Sequence, residues 1–260
     1  MAIQAAIEGS AAIMNIYQKD FERKQKQDGT PVTEADLASS QRIESILAPL
    51  KIPITSEESP KAHFDERKKW KKSWCIDPLD GTKEFIKRND EFAINIALIE
   101  DGRPTFGLIA SPVNEEIIIG SKEVGVYLFK FDDAYKNENW KKIDAPICAN
   151  NPLVMACSRS HHSGQVLEII HRLQQNMPPI KFIKKGSALK FFDLAQGKAD
   201  IYPRFAPTME WDIAAGQAIL EALGGEVIHA KTRKPLRYNK ANLVNPYFIA
   251  TTLTVKHLIN

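Results

Sequence analysis

Cysteine is scarce in this chain: three in 260 residues, Cys75, Cys148 and Cys157. An odd count at wide spacing builds neither a disulfide framework nor a zinc site, and it points to the reducing cytosol. Long apolar runs are missing as well. None approaches the roughly 18 residues that cross a bilayer. Met1-Ala2-Ile3-Gln4 lacks the basic-then-hydrophobic form of a secretory leader. Neither sign of charge dominates: 35 basic against 32 acidic residues leave +3, too little to imply a nucleic-acid polymer as partner. The basic runs Arg67-Lys68-Lys69 and Lys71-Lys72 read as a solvated face. No repeat and no low-complexity tract is visible. What remains is ordinary globular composition, 43% hydrophobic and 26% charged. The length suits one broad domain or two small ones.

Ile3, Ile7, Ala11 and Met14 recur at helical spacing and predict a helix over 2–18. Thr33, with Asp36 three positions on, has the form of a capping box and predicts a helix over 34–48, ended by Pro49 and Pro53. A short strand over 52–55, a charged loop over 60–72 and a strand over 73–77 follow. From 91 to 128 the period drops to two. Phe92, Ile94, Ile96 and Leu98 alternate with Ala93, Asn95 and Ala97, which predicts a strand with one larger apolar face. Asp101-Gly102 then turns the chain into strands over 104–110, 116–120 and 124–129. The polar, Asn-rich stretch 131–151 suggests a division. Residues 1–145 would hold helices and an antiparallel sheet, and 146–260 an α/β half. The second half reads as strand 153–157, helix 162–176, strand 180–184, helix 188–197, strand 199–203 and helix 212–223. A final helix is expected from Asn245-Pro246 to about 258.

Against this background the acids stand out. Asp77-Pro78-Leu79-Asp80-Gly81-Thr82 puts two carboxylates and a hydroxyl just after the apolar run Trp74-Cys75-Ile76. Pro78 and Gly81 should turn the chain between and after the acids. Oxygens converging on one point suit a hard divalent cation. Two further places look similar. Glu57-Glu58 ends a short strand, and Asp212 opens a helix, where free backbone N–H groups favour a carboxylate. Two metals about 3.5–4 Å apart can hold phosphate oxygens, activate water and stabilise a departing alkoxide. Thr82 is a candidate to take the water's proton, with Asp36 fixing its hydroxyl. Taken singly, each motif has a plainer reading as a turn, a solvated loop or a helix cap. Their joint appearance argues for metal-assisted phosphate chemistry.

Thr33-Glu34-Ala35-Asp36, Ser56-Glu57-Glu58, Asp77 to Thr82, and Trp211-Asp212-Ile213-Ala214-Ala215-Gly216 stand in that order along the chain. Together they resemble the inositol monophosphatase superfamily of lithium-sensitive, Mg2+-dependent phosphatases, over nearly the whole length. The resemblance implies an α/β (α+β) fold, the layered α-β-α-β-α sandwich of the inositol monophosphatase/fructose-1,6-bisphosphatase type. It implies that Glu57, Asp77 and the Leu79 carbonyl hold one Mg2+, and that Asp77, Asp80 and Asp212 hold a second. Glu58, outside these direct ligands, would help a third, weak site. Asp36 and Thr82 would activate the attacking water, and Li+ would inhibit. A monomer or homodimer is implied, in the cytoplasm or peripheral at the inner membrane.

Substrate choice falls to the second half. Ser158-Arg159-Ser160-His161 puts hydroxyls and cations at a helix start, which suits a phosphate. In Lys184-Lys185-Gly186-Ser187-Ala188-Leu189-Lys190, Gly186 lets a nucleotide approach the backbone, Ser187 can donate and Lys190 adds charge. Tyr202-Pro203-Arg204 ends a strand shortly before Asp212. Surface caps and turns are the plainer readings of each. Within the superfamily these segments resemble the bacterial 3'(2'),5'-bisphosphate nucleotidases, with Ala188 standing where that branch usually has Ser. The resemblance implies that Ser158, Arg159, His161, Gly186, Ser187, Lys190, Tyr202 and Arg204 contact a small nucleotide, together with Gly81, Thr82 and Asp212. That nucleotide would be adenosine 3',5'-bisphosphate, cleaved to AMP, with 3'-phosphoadenylyl sulfate as a second substrate. The role would be to clear the by-product of sulfate activation. Three rivals share part of the pattern. One is an inositol or sugar phosphate phosphatase with the same metals. Another is an aspartyl-phosphate phosphatase, whose Asp-x-Asp-Gly-Thr has one residue between the acids rather than two. The third is a metal-stabilised nucleotide-binding module without activity.

Overall fold

A computed structural model of the chain describes residues 1–20, 23–25, 31–157, 164–174 and 179–259. The first part of the chain runs α1 (Ala2–Tyr17), β1 (Arg23–Gln25), β2 (Pro31–Thr33), α2 (Glu34–Leu47), β3 (Ile54–Ser56), α3 (Phe64–Arg67) and β4 (Lys72–Asp80). It continues with α4 (Thr82–Ile86), β5 (Ala93–Glu100), β6 (Arg103–Ser111), β7 (Glu116–Ser121), β8 (Gly125–Lys130) and β9 (Lys141–Ile143). Then come β10 (Val154–Cys157), α5 (Gly164–Gln174), β11 (Lys181–Lys184), α6 (Leu189–Ala195), β12 (Ile201–Arg204), α7 (Glu210–Ala222), β13 (Glu226–His229) and β14 (Phe248–Thr251).

Among the described residues, β3 to β9 form one sheet in chain order, parallel only between β3 and β4. A second sheet has the order β11-β10-β12-β14-β13, antiparallel around β14. The small pair β1–β2 stands apart from both. Helices α1 and α2 cover one face of the first sheet, where Ala5, Ile13, Ile43 and Leu47 join one core with Ile76, Ile94, Ile96 and Leu108. The opposite face packs on α7 and α6, and these in turn on the second sheet: Ala97, Ile109, Ala215, Ile219, Phe191, Val227 and Ala250 form one continuous core. Helix α5 closes the far side through Val166 and Leu173 on Met155, Ile201 and Ile249. The layer order is α-β-α-β-α, as the resemblance implied.

The period-two reading of β5 explains how α7 is seated. Large Ile94 and Ile96 face α1 and α2, while small Ala93 and Ala97 face α7. A helix held between two sheets is apolar all round, and α7 meets both sheets with small residues, Ala214, Ala215, Gly216 and Ala218. Gly107 in β6 allows the closest approach: a Cβ there would lie 2.1 Å from the Ala215 carbonyl oxygen. Asp212 rides on this helix.

The structure departs from the sequence reading in several places. The helix expected from Asn245-Pro246 to about 258 does not form. Phe248–Thr251 is β14, paired on both edges, and a short 3-10 turn follows at Lys256–Leu258. Pro246 carries a helix-start signal, but a run buried on both faces and hydrogen-bonded on both edges overrides it. Strand β13 had no expectation at all. The loop over 60–72 contains α3, and the polar stretch 131–151 contains β9, which extends the first sheet. Finally, β4 does not end at Asp77. It continues to Asp80 with its register irregular between the two acids, and the turn comes at Gly81, with φ 98°. Proline has no N–H for the ladder, so Pro78 fits this irregularity better than it fits a turn. No helix among the described residues is long and apolar enough to cross a membrane.

Candidate active site

The irregular end of β4 aims its acids at the end of α7. Carboxylate oxygens of Glu57, Asp77 and Asp212 lie within 4.8 Å of one another. Glu57 follows β3, which pairs in parallel with β4, so neighbouring strands deliver Glu57 and Asp77 together. Asp77 is 2% exposed and accepts only the Leu79 N–H, at 3.0 Å, among the described contacts. Burial, and then the charges of Glu57, Asp80 and Asp212, push its carboxyl well above the usual carboxylate range. Asp212 is pushed the same way by burial and by Asp80, although it accepts the Met209 N–H at 2.9 Å. Buried oxygen donors that repel one another fit a hard divalent cation, which would relieve that repulsion.

Asp80 is held differently. Its Oδ2 accepts the Ala188 N–H at 2.5 Å and the Asn95 amide at 3.3 Å. Burial pushes its carboxyl up to about 6, opposed by Lys190 and these two hydrogen bonds. Leu79 is buried in the strand between the two acids, and Glu58 is half-buried beside Glu57, outside the three-carboxylate group.

Asp36 and Thr82 meet across the fold. The Thr82 hydroxyl donates to Asp36 Oδ1 at 2.9 Å, and Thr33 donates its N–H and its hydroxyl to Oδ2 at 2.8 and 2.7 Å. The capping box that opens α2 therefore also orients the carboxylate toward Thr82. Burial raises the Asp36 pKa, with the Thr33 and Thr82 hydrogen bonds opposing.

A cavity of about 200 Å3 opens beside these acids, lined by Asp80, Gly81, Gly186, Ser187, Lys190, Tyr202, Arg204 and Asp212. Segments far apart in sequence thus converge. Lys190 is 4% exposed, lies 5.2 Å over the Tyr202 ring, and donates to the Lys185 and Ser187 carbonyls at 3.1 and 2.5 Å. Burial lowers its pKa to about 8, opposed by Asp80. Arg204 Nε is buried without a hydrogen-bond partner. Ser158, Arg159 and His161 lie outside the described residues.

Residues 1–257 match the sequence model of the inositol monophosphatase family. The chain belongs to the inositol monophosphatase family. It is 39% identical over 253 residues to the 3'(2'),5'-bisphosphate nucleotidase CysQ of Salmonella typhimurium, covering 95% of this chain and 97% of that protein. The crystal structure of CysQ from Bacteroides thetaiotaomicron, a bacterial member of the inositol monophosphatase family, superposes with a TM-score of 0.84 at 38% identity, over 97% of this chain and 96% of that one. An IMPase of Thermotoga maritima shares the fold at 20% identity, with a TM-score of 0.77 over 99% of this chain and 93% of its own.

In this family member the cavity also uses residues that the sequence reading passed over. Lys83, Glu84, Phe191, Thr208 and Ile213 also line it, as does Ala188. Asn95, 1% exposed, backs Asp80 from the small face of β5. Its signal was available, since it is the one amide inside an apolar strand.

Proposed function

We propose that the protein is a Mg2+-dependent phosphatase that removes the 3'-phosphate of adenosine 3',5'-bisphosphate to give AMP and inorganic phosphate, and that also acts on 3'-phosphoadenylyl sulfate. The observation that carries the reading is the Thr82–Asp36 hydrogen bond together with three converging carboxylates, one of which, Asp212, lines a cavity that also holds Lys190 and Arg204. The likeness to the CysQ proteins, at 39% identity, supports the choice of nucleotide.

Glu57, Asp77 and the Leu79 carbonyl would hold one Mg2+; Asp77, Asp80 and Asp212 a second; Glu58 would help a third. Such ions supply charge neutralisation of the phosphate oxygens and of the departing alkoxide. The protein's own part is proton handling and orientation. Because the Thr82 hydroxyl gives its proton to Asp36, its oxygen has lone pairs to accept one from an approaching water. As that water attacks phosphorus and the P–O3' bond breaks, the water's proton passes to Thr82 Oγ and the Thr82 proton passes to Asp36 Oδ1, while the 3'-oxygen leaves as an alkoxide and takes a proton from solvent. Burial has already raised the affinity of Asp36 for a proton.

Arg204 and Ser187, which line the cavity, would meet the anionic and sugar groups of the nucleotide, and Gly186 would let it come close to the backbone. Ser158, Arg159 and His161 belong to the same proposal from sequence. Comparing phosphate release from adenosine 3',5'-bisphosphate and from inositol 1-phosphate under Mg2+ tests the reading. A strong preference for the inositol ester would replace the nucleotidase with an inositol phosphatase. Absence of turnover on both, with nucleotide binding intact, would leave a binding module. A phospho-aspartate trapped at Asp77 would mean covalent rather than direct water attack.

A further inference from the structure

The wall of the cavity that would face the nucleotide is the connection between β11 and α6, residues 185–188, and it belongs to the second sheet's half of the chain. Its fixed points can be followed one by one. Lys190 Nζ ties the Lys185 and Ser187 carbonyls from within the same half. The Ala188 N–H reaches Asp80, a proposed metal ligand. The Gly186 N–H donates to Glu91 Oε2 at 2.8 Å. Glu91 lies in the connection between α4 and β5, so this last bond also crosses from one half to the other.

The backbone of Glu91 is equally engaged. A Cβ at Gly81 would stand 3.0 Å from the Glu91 carbonyl oxygen, and one at Gly186 would stand 2.9 Å from the same atom. One carbonyl thus separates the glycine that follows the metal-site acids from the glycine of the substrate wall. Any side chain at either position would push the two segments apart. Ser187 sits at φ 45° in the left-handed region, a conformation that a non-glycine residue keeps only when its surroundings impose it.

We propose that Glu91 is the positioning residue that sets the substrate-selecting wall: its carboxylate clamps the Gly186 amide and thereby fixes Ser187 against the catalytic segment. This rests on the nucleotidase reading. The Asp80 tie cannot do this work alone, because the oxygen that holds Ala188 belongs to a carboxylate that would also hold a metal. Glu91 stands outside the proposed ligand set, so its grip on Gly186 is independent of metal loading.

The test uses the full-length protein with Glu91→Ala and Glu91→Gln. Glutamine keeps an oxygen that can accept the Gly186 N–H; alanine does not. With Mg2+, Glu91→Ala should raise KM for adenosine 3',5'-bisphosphate about tenfold, the scale of one lost hydrogen bond to a charged group. Its kcat, and kcat/KM for 4-nitrophenyl phosphate, should stay within about twofold, since that small monoester needs no such wall. Glu91→Gln should restore KM to within about threefold. Hydrogen exchange over residues 185–190 should speed up in Glu91→Ala and stay slow in Glu91→Gln, with or without Mg2+. Equal losses on both substrates, or unchanged exchange in Glu91→Ala, would overturn the clamp. The exchange measurement needs no substrate, so it decides the matter even for a protein that proves inactive on the bisphosphate.

Discussion

Asp36→Asn separates proton handling from metal holding. The carboxylate accepts three donors: the Thr33 N–H at 2.8 Å, the Thr33 hydroxyl at 2.7 Å and the Thr82 hydroxyl at 2.9 Å. An amide has one oxygen. Kept on the Thr33 side, it preserves the helix cap, but then the NH2 group faces Thr82 Oγ. Thr82 must accept, its own proton turns elsewhere, and the lone pair meant for water is occupied. Turned round, the amide would leave the buried Thr33 N–H without an acceptor, at about 1–3 kcal/mol. The first arrangement costs less, so the fold should survive with a loss of about 1–2 kcal/mol and a Tm lower by a few degrees. Turnover should fall about 100- to 10,000-fold, the usual share of a general base. Metal affinity should hold, because Asp36 is not among the three converging carboxylates. Phosphate release from adenosine 3',5'-bisphosphate, with Mn2+ binding by calorimetry on the same sample, reads both quantities. Turnover within about threefold of wild type would refute the relay; loss of metal binding would show that Asp36 serves the ion site instead.

Three further outcomes follow from the same geometry. Asp77, Asp80 and Asp212 bind protons more tightly folded than unfolded, so metal-free protein should lose stability as pH rises from about 4, the ordinary carboxylate value, through about 6, the value for Asp80. Saturating Mg2+ should remove that slope, and equal Tm values at acid and neutral pH in chelator would contradict the mutual repulsion. Gly107→Ala drives a Cβ into the Ala215 carbonyl, and with backbone on both sides it should cost about 3 kcal/mol, at the upper end for overpacking; a thermal melt unchanged from wild type would show that α7 is not seated as described. Li+ at millimolar concentration should inhibit phosphate release, and full activity at tens of millimolar would count against the proposed second ion position.

The layered fold and the acids that converge in it were both legible in the sequence, for different reasons. The acids were legible because each stood in a short local pattern: a capping box for Asp36, an acid pair after an apolar run for Asp77 and Asp80, and a helix start for Asp212. The layered core was legible from the alternation of β5, whose small face anticipates a close-packed neighbour. Strand β14 was not, because its identity comes from two partners distant in sequence, while Asn245-Pro246 sends a local signal of the opposite kind. Glu91 was invisible for the same reason. In sequence it is one acid in a polar connection, and only the fold places it against Gly186. Lys190 lines the cavity, and its ammonium also donates to the Lys185 and Ser187 carbonyls, bonds that nothing in the local sequence announced.

The position of β14 bears on how the protein is made. It is the last of the described strands in the chain, yet it lies between β12 and β13 in the middle of its sheet. A ribosome therefore delivers α7, with Asp212 on it, before the strand that joins β12 to β13. During that interval the first sheet and the β11-β10-β12 part of the second can already meet α7, while β12 and β13 expose unpaired edges to each other. The second sheet becomes continuous from β12 to β13 only when Phe248–Thr251 lies between them. The layer that backs α7 on its second side is therefore closed by a strand that follows it only after β13, so a change in Phe248–Thr251 would be felt at α7 although that strand carries no acid.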